Sequence, residues 1–467
     1  MSHPTAAELA RATPSTRDRY VDFLRVAALV AVMLGHFLMA GVVRDQAHEL
    51  VVTNTLVQVP VARLLTWVLQ VMPVFFMVGG FSNATSLASL RRRAGDRHVY
   101  ADFVFVRCRR LLEPTAAFVA FGVLAAALVE IAGTPDRTVE FAFRLIGQPL
   151  WFIGIYLIVI AFAPMMLTLH ERHGVRVVVV LAVLVVLVDV ARLSFGLTLV
   201  GYLNFVLAWL LVHQIGFFYA DGRLLDRRVQ WAMAVGGLSV AVLLVAFLVY
   251  PVSMVSLPEE HVSNLAPPSV ALVALAFGQI GVLMLLRGPA NRWLQRPRVW
   301  TAVVRGNGVV MTAFLWHLTA IVAVNALVVR SGLPTPTIGS AVWWLTRPLL
   351  LLVIVVVLAG LVAVFRRFEA PHPSVVVAPE HRRRRRAGLS VLGLVLAVLG
   401  ILGFSMTGFA GVTTFATQRL VVLPMTPFVN LGLLLLGWWL VQQAARASTS
   451  AREDRGGRES PAPRSAG

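Results

Sequence analysis

The chain has 467 residues, 58% of them hydrophobic and only 13% charged, with a formal net charge of +19 and a mean hydropathy of +0.80. A soluble domain carries about 25% charged residues, so a water-soluble globular enzyme is excluded. The single cysteine, Cys108, excludes a disulfide-stapled scaffold. What remains is an all-α fold, a polytopic bundle of membrane-spanning helices.

Windows of about 20 residues place spans at 20–42, 63–88, 112–132, 148–168, 175–191 and 198–219. Further spans follow at 231–250, 270–286, 308–329, 342–365, 388–412 and 425–444. The count is about twelve. The first is no cleaved signal peptide, because its apolar run is long, its leading tail is polar and more spans follow.

The positive charge does not point to nucleic acid. Every basic residue is an arginine, and the arginines lie in short blocks between apolar stretches, as they do in loops on the inner side of a membrane. With the N-terminus inside, 32 of the 41 arginines fall on inner segments, eight lie on or near the outer side, and Arg25 sits within a span. Both termini are therefore expected to be cytoplasmic, in a multi-pass protein of the cell membrane.

The organisation read from these spans is a cytoplasmic tail over 1–19, a ten-helix membrane core over 20–371 and a basic linker over 372–387. An additional helix pair over 388–444 and a disordered cytoplasmic tail over 445–467 follow. The linker holds His381 and the run Arg382 to Arg386, which suits contact with anionic lipid.

Ionisable residues inside a span are the first place to look for function, since a charge near the bilayer centre costs about 2.5–3.5 kcal/mol or more. The first span holds Asp22, Arg25 and His36. Eleven residues bring an α-helix back to within ~20° of the same face, so Arg25 and His36 share a stripe ~16 Å apart along the axis. Asp22, one turn before Arg25, can pair with it. Either this is an interfacial ion pair plus a satisfied histidine, or His36 is a general base and Arg25 fixes an anionic group.

The second candidate is the loop 89–114, in which Arg107 and Arg110 share a helix face at the membrane surface and suit a phosphate clamp as well as ordinary anchoring. Cys108 reads as an inert small residue. Trp151 reads as an interfacial aromatic, and His317 as a helix–helix contact or a second catalyst. Asp189, Arg192, Asn204, His213 and Gln214 either line a cavity or pair between helices. Asp102, Glu113 and Glu369 mark inner helix ends and balance adjacent arginines. The outer loop 251–269, with Glu259, Glu260 and His261, is a hinge or an acceptor-selecting element. No Walker-type glycine loop, zinc-binding spacing or G-x-S-x-G elbow occurs, and no metal site is expected.

The stretch Arg19-Tyr20-Val21-Asp22-Phe23-Leu24-Arg25 through Leu34-Gly35-His36-Phe37 resembles the opening signature of the acyltransferase 3 family of integral membrane acyltransferases. The resemblance continues in order through Pro73 to Phe81, with Gly79 where the family often has serine, then through Arg107 to Pro114. Leu150-Trp151-Phe152 with Tyr156 and Pro164 follows, and then Phe314-Leu315-Trp316-His317. It covers about residues 19–370, and the helices from 388 onward fall outside it.

The resemblance implies transfer of an acyl group, often acetyl, from a cytoplasmic thioester such as acetyl-CoA. The acceptor it implies is a hydroxyl or amine of a sugar, glycolipid, cell-envelope polymer or secreted metabolite. It makes His36 and Arg25 the catalytic pair and Arg107 with Arg110 the donor-binding motif, with Asp22, Trp151 and His317 as additional site residues. His36 would act as base or carry the acyl group as an acyl-imidazole. Acyl-CoA would be a co-substrate and not a bound cofactor, and the partners would be membrane lipids, donor and acceptor, with no nucleic acid. The alternative is a transporter or exporter of a small lipid or metabolite. It predicts paired hydropathy repeats with interrupted helices, and the two halves show no such pairing.

Overall fold

The computed structural model describes residues 5–446 apart from 15, 45–49, 95–98, 134–136, 248, 333–334, 370–382, 414 and 416. The expected linker lies largely, and the C-terminal tail beyond Arg446 wholly, outside the described residues. Twelve long helices form among those described: α1 (Arg19–Met39), α2 (Met72–Ala94), α3 (Tyr100–Ile131), α4 (Leu150–His173), α5 (Val175–Phe195) and α6 (Asn204–Ala220). After them come α7 (Arg227–Phe247), α8 (Val270–Leu294), α9 (Val310–Arg330), α10 (Ala341–Phe365), α11 (Arg383–Thr407) and α12 (Pro427–Arg446).

Among the described residues, eleven segments are long and apolar enough to cross a membrane. The twelfth expected span, α12, is not one of these eleven, yet it packs along α11 as a helix of the bundle. A helical bundle is the physical answer to such a sequence. Valine-rich stretches such as α5 would favour strands in water, but in lipid each segment must satisfy its own backbone hydrogen bonds.

Side-chain cross-links show that successive helices alternate in direction. At one end, Arg19 donates to the Leu294 carbonyl (3.2 Å), Arg91 meets Glu171 (2.7 Å), Arg287 meets Asp18 (3.3 Å) and Arg386 meets Asp102 (3.1 Å). The beginnings of α1, α3 and α11 therefore lie with the ends of α2, α4 and α8. Arg386 also donates to the Ala444 carbonyl, which brings the end of α12 to the same place. The short helix Ala6–Arg11 packs against another, Pro297–Asn307, at this end. We call it the basic end.

At the opposite end, Trp67 donates to the Val252 carbonyl (2.8 Å), Arg63 faces Glu260 (3.6 Å) and Asp189 accepts from the Val270 amide (2.8 Å). Glu130 accepts from the amides of Gly411 (2.6 Å) and Thr413 (2.8 Å), pinning the segment after α11 to the end of α3. A hairpin of β1 (Ala40–Arg44) and β2 (Leu50–Asn54) follows α1 there, and β3 (Gln418–Leu420) pairs with β4 (Leu423–Met425) between α11 and α12.

Several expectations change. The stretch 89–114 is not a loop: α2 runs to Ala94 and α3 starts at Tyr100, so Arg107 and Arg110 are helical. Hydropathy alone delays the start of α3 because three arginines interrupt it. Glu369 does not balance its neighbouring arginines. Its carboxylate accepts from the Met311 amide (3.0 Å) and the Thr312 amide (2.8 Å) and caps α9. Asp102 pairs with distant Arg386, while Glu113 does pair with nearby Arg109 (2.6 Å). The run that began as linker enters α11 at Arg383, and Arg386 is buried.

Among the polar residues of uncertain role, Asp189 pairs with Arg192 (2.9 Å) and accepts from Tyr250 (3.0 Å). Asn204 donates to the Val185 carbonyl (3.3 Å), Gln214 meets His170 (3.0 Å) and His213 meets Asn83 (3.0 Å). These tie helices together. The 251–269 loop is stitched to residues 63–70 and by Asn264 to the Pro251 and Ser253 carbonyls.

Close helix contacts use small residues. A side chain on Gly80 would put its Cβ 2.0 Å from the His213 carbonyl oxygen, and one on Gly216 would lie 2.1 Å from that of Met77. Backbone therefore meets backbone between α2 and α6. The α11–α12 pair is no loose appendage: Gly154 of α4 receives Leu402, and Phe118 of α3 meets Phe409 edge-on at 5.5 Å.

Candidate active site

Helix α1 begins with Asp18 as its cap, accepting from the amides of Tyr20 (2.9 Å) and Val21 (3.2 Å). The second Asp18 oxygen receives the Tyr219 hydroxyl (2.6 Å) and Arg287. This fixes the rotation of α1, and with it the stripe that carries Asp22, Arg25 and His36.

Buried Asp22 accepts from Arg17 Nε (2.5 Å) and from Arg25 Nη1 (3.3 Å). Arg25 Nη2 donates to Ser82 Oγ of α2 (2.8 Å). Arg107 of α3 is an electrostatic neighbour of Arg25 and lies against the Tyr156 phenol, and Arg110 feels both Arg25 and Arg17. Two guanidinium groups, Arg17 and Arg25, thus meet one carboxylate, and those of Arg107 and Arg110 lie within electrostatic reach of them. Like charges gathered in this way repel, which gives the cluster a standing affinity for an anion. The Nε of Arg107 is buried without a partner. Cys108, beside it, is buried on another face of α3.

Gly79, where the resemblance leads one to expect serine, stands at a position with no room for a side chain. A Cβ there would stand 2.7 Å from Tyr156 Oη, so the phenol occupies the room a side chain at 79 would need and brings a hydroxyl of its own.

The other half of the site is a histidine pair that no sequence spacing revealed. His317 Nε2 of α9 lies 3.0 Å from His36 Nδ1, with ring centroids 5.0 Å apart. His317 Nδ1 lies 2.5 Å from the Phe314 carbonyl oxygen. A carbonyl only accepts, so His317 Nδ1 carries its hydrogen and Nε2 is its lone-pair nitrogen. His36 Nδ1 then donates to it, which leaves the lone pair of His36 on Nε2. His317 is 1% exposed and His36 half-buried. The outer partner is the accessible one, and the inner partner sets its tautomer and ring orientation.

The structure therefore joins Asp22, Arg25, Arg107 and Arg110 in one cluster at the basic end, and His36 with His317 further along α1. Trp151 stands at the start of α4, toward the opposite end, half-buried with its ring 6.3 Å from that of Phe152. Ser82 and Tyr156 are site members that sequence reasoning did not single out for this role. The signal for Tyr156 was a hydroxyl within an otherwise apolar span, whereas Ser82 lies among Asn83, Thr85 and Ser86 and does not stand out.

Neither a curated relative nor a solved structure matches the chain. A family profile described as an acyltransferase domain matches residues 18–366, ending before α11 and covering three quarters of the length. With its apolar helices and the order of its motifs, the chain belongs to the acyltransferase 3 family of multi-pass membrane acyltransferases.

Proposed function

We propose that the chain carries an acyl group, acetyl in the simplest case, from a thioester donor such as acetyl-CoA to a hydroxyl or amine. The acceptor would be a sugar, glycolipid, cell-envelope polymer or secreted metabolite. The basic end would face the cytoplasm, as the arginine distribution implies, in the cell membrane. The observation that carries this reading is the pairing of His36 with His317 on the same helix stripe as an arginine cluster.

The donor's diphosphate is an anion suited to the guanidinium groups of Arg107 and Arg110, with Arg25 deeper along its arm. The ~16 Å rise from Arg25 to His36 is comparable with the reach of an extended pantetheine arm. His36 Nε2 takes the proton as the acceptor oxygen bonds to the thioester carbonyl carbon. The tetrahedral adduct collapses, the carbon–sulfur bond breaks, and the thiolate leaves and takes up the proton from the imidazolium. The imidazolium's Nδ1 hydrogen bond to His317 stabilises it through the step.

The test is mass spectrometry of lipids, glycans and secreted products from cells lacking the gene and from cells complemented with wild type or His36→Ala at equal abundance. One compound should lose an acyl group in the deletion and stay deacylated with His36→Ala. An unmodified compound that accumulates inside the cell and is exported again by His36→Ala would instead mark a transporter.

A further inference from the structure

Arg347 is one of the eight arginines that the charge distribution leaves on or near the outer side. It lies seven residues inside α10, on the stripe Trp343, Arg347, Leu350, Leu351 and Ile354. This spacing of three and four residues is one helix face. It is the face turned toward α1 and α9, because Leu350, Leu351 and Ile354 pack in one apolar cluster with Phe37 and Leu318. Those two residues directly follow His36 and His317. The rest of α10 is mostly exposed to the apolar surroundings, with only Trp343 and Ile354 fully buried. Arg347 therefore does not point out among lipid chains. It points at the helix pair that holds the histidines.

Its guanidinium is held by rings, 4.2 Å from the centroid of Trp343 and 5.9 Å from that of Phe37. No carboxylate meets it among the described residues, and its Nε is buried without a hydrogen-bond partner. The other well-placed arginines of this end differ. Arg63 faces Glu260, and Arg192 is held by Asp189 and the Pro267 carbonyl. An intramembrane cation without a counter-ion among the described residues, braced by aromatic faces that orient it and supply no charge, fits a site whose anion arrives with a ligand.

We infer that the acceptor carries an anionic group, phosphate or carboxylate, that Arg347 binds while the acceptor's nucleophile approaches His36. The inference rests on the acyltransfer reading and narrows its substrate class. Arg347 is a specificity-determining residue on the acceptor side, at the other end of α1 from the donor's arginines.

The experiment uses the full chain in its own cells, complemented with wild type, His36→Ala, Arg347→Gln and Arg347→Lys at matched abundance. Mass spectrometry covers the lipid extract and the secreted fraction separately, which distinguishes a lipid-borne anion from a soluble one. The compound whose acylation depends on His36 should carry a phosphate or carboxylate. Arg347→Gln should lower its acylated fraction by roughly tenfold or more, as expected for a lost charged hydrogen bond, and Arg347→Lys should fall between.

A neutral His36-dependent compound, or wild-type acylation by Arg347→Gln, overturns the inference and leaves the acyltransfer reading standing. The absence of any His36-dependent compound sinks both. Should Arg347→Gln fail to accumulate, competition decides. With acetyl-CoA saturating, so that the donor's arginines are occupied, hexyl phosphate should slow acylation by the wild-type protein and hexanol should not; equal effects overturn the inference.

Discussion

In the proposed reaction the chemistry falls on one nitrogen, His36 Nε2, and the hydrogen bonds behind it decide whether that nitrogen is available. The Phe314 carbonyl sets the tautomer of His317, and His317 sets that of His36. Replacing His317 by Gln should leave the protein folded, and donor KM unchanged, while kcat falls by up to roughly 100-fold through a misplaced or wrongly protonated base. A steady-state assay that separates kcat from KM checks this; a change in KM alone would make His317 a packing residue. At this scale the sequence showed the Arg25–His36 stripe because helix periodicity is local. It could not show the partner, which is 281 residues away and brought in only by the packing of α1 against α9. Arg347 escaped for a related reason: arginine bias counts sides of a membrane, and which helix face a side chain occupies depends on tertiary contacts.

Helix α3 carries two working parts. Its first turns bring Arg107 and Arg110 to the arginine cluster, and its last turn uses Glu130 to hold the segment after α11. Arg107→Gln and Arg110→Gln should each raise the donor's KM by roughly ten- to a hundredfold, the range of a lost charged hydrogen bond, with kcat less affected. A titration of rate against acetyl-CoA at two salt concentrations measures it; unchanged KM in both variants would remove these residues from donor binding. Packing between elements makes a separate prediction. Gly80→Ala drives a Cβ against the backbone of α6, whereas Gly236→Ala meets nothing within 4 Å. The first should destabilise by about 1–3 kcal/mol and lower the midpoint of thermal unfolding in detergent, and the second should not. Hydropathy located most of the spans because twenty-residue apolar runs are unmistakable. It placed the start of α3 late because paired or inward-facing arginines look like loop residues to any average over a window.

In the whole molecule, the basic end gathers the arginine cluster and the opposite end holds the far half of α1, the hairpin and the stitched 251–269 loop. The α11–α12 pair lies beyond the family's matched region, yet it packs on α3 and α4, the helices that supply Arg107 and Tyr156. That placement braces the two helices along their length, from Asp102–Arg386 at the basic end to Glu130–Gly411 at the other. The proposed reaction divides the labour across the membrane, with the donor bound from the basic end and the acceptor met at His36. Sealed vesicles of known orientation, carrying the cell's own acceptor material, test this most directly when radiolabelled acetyl-CoA is supplied on one side only. Label should appear on acceptor only when acetyl-CoA faces the basic end, and it should vanish with His36→Ala. Equal labelling from both sides, or labelling only from the opposite end, would contradict the account.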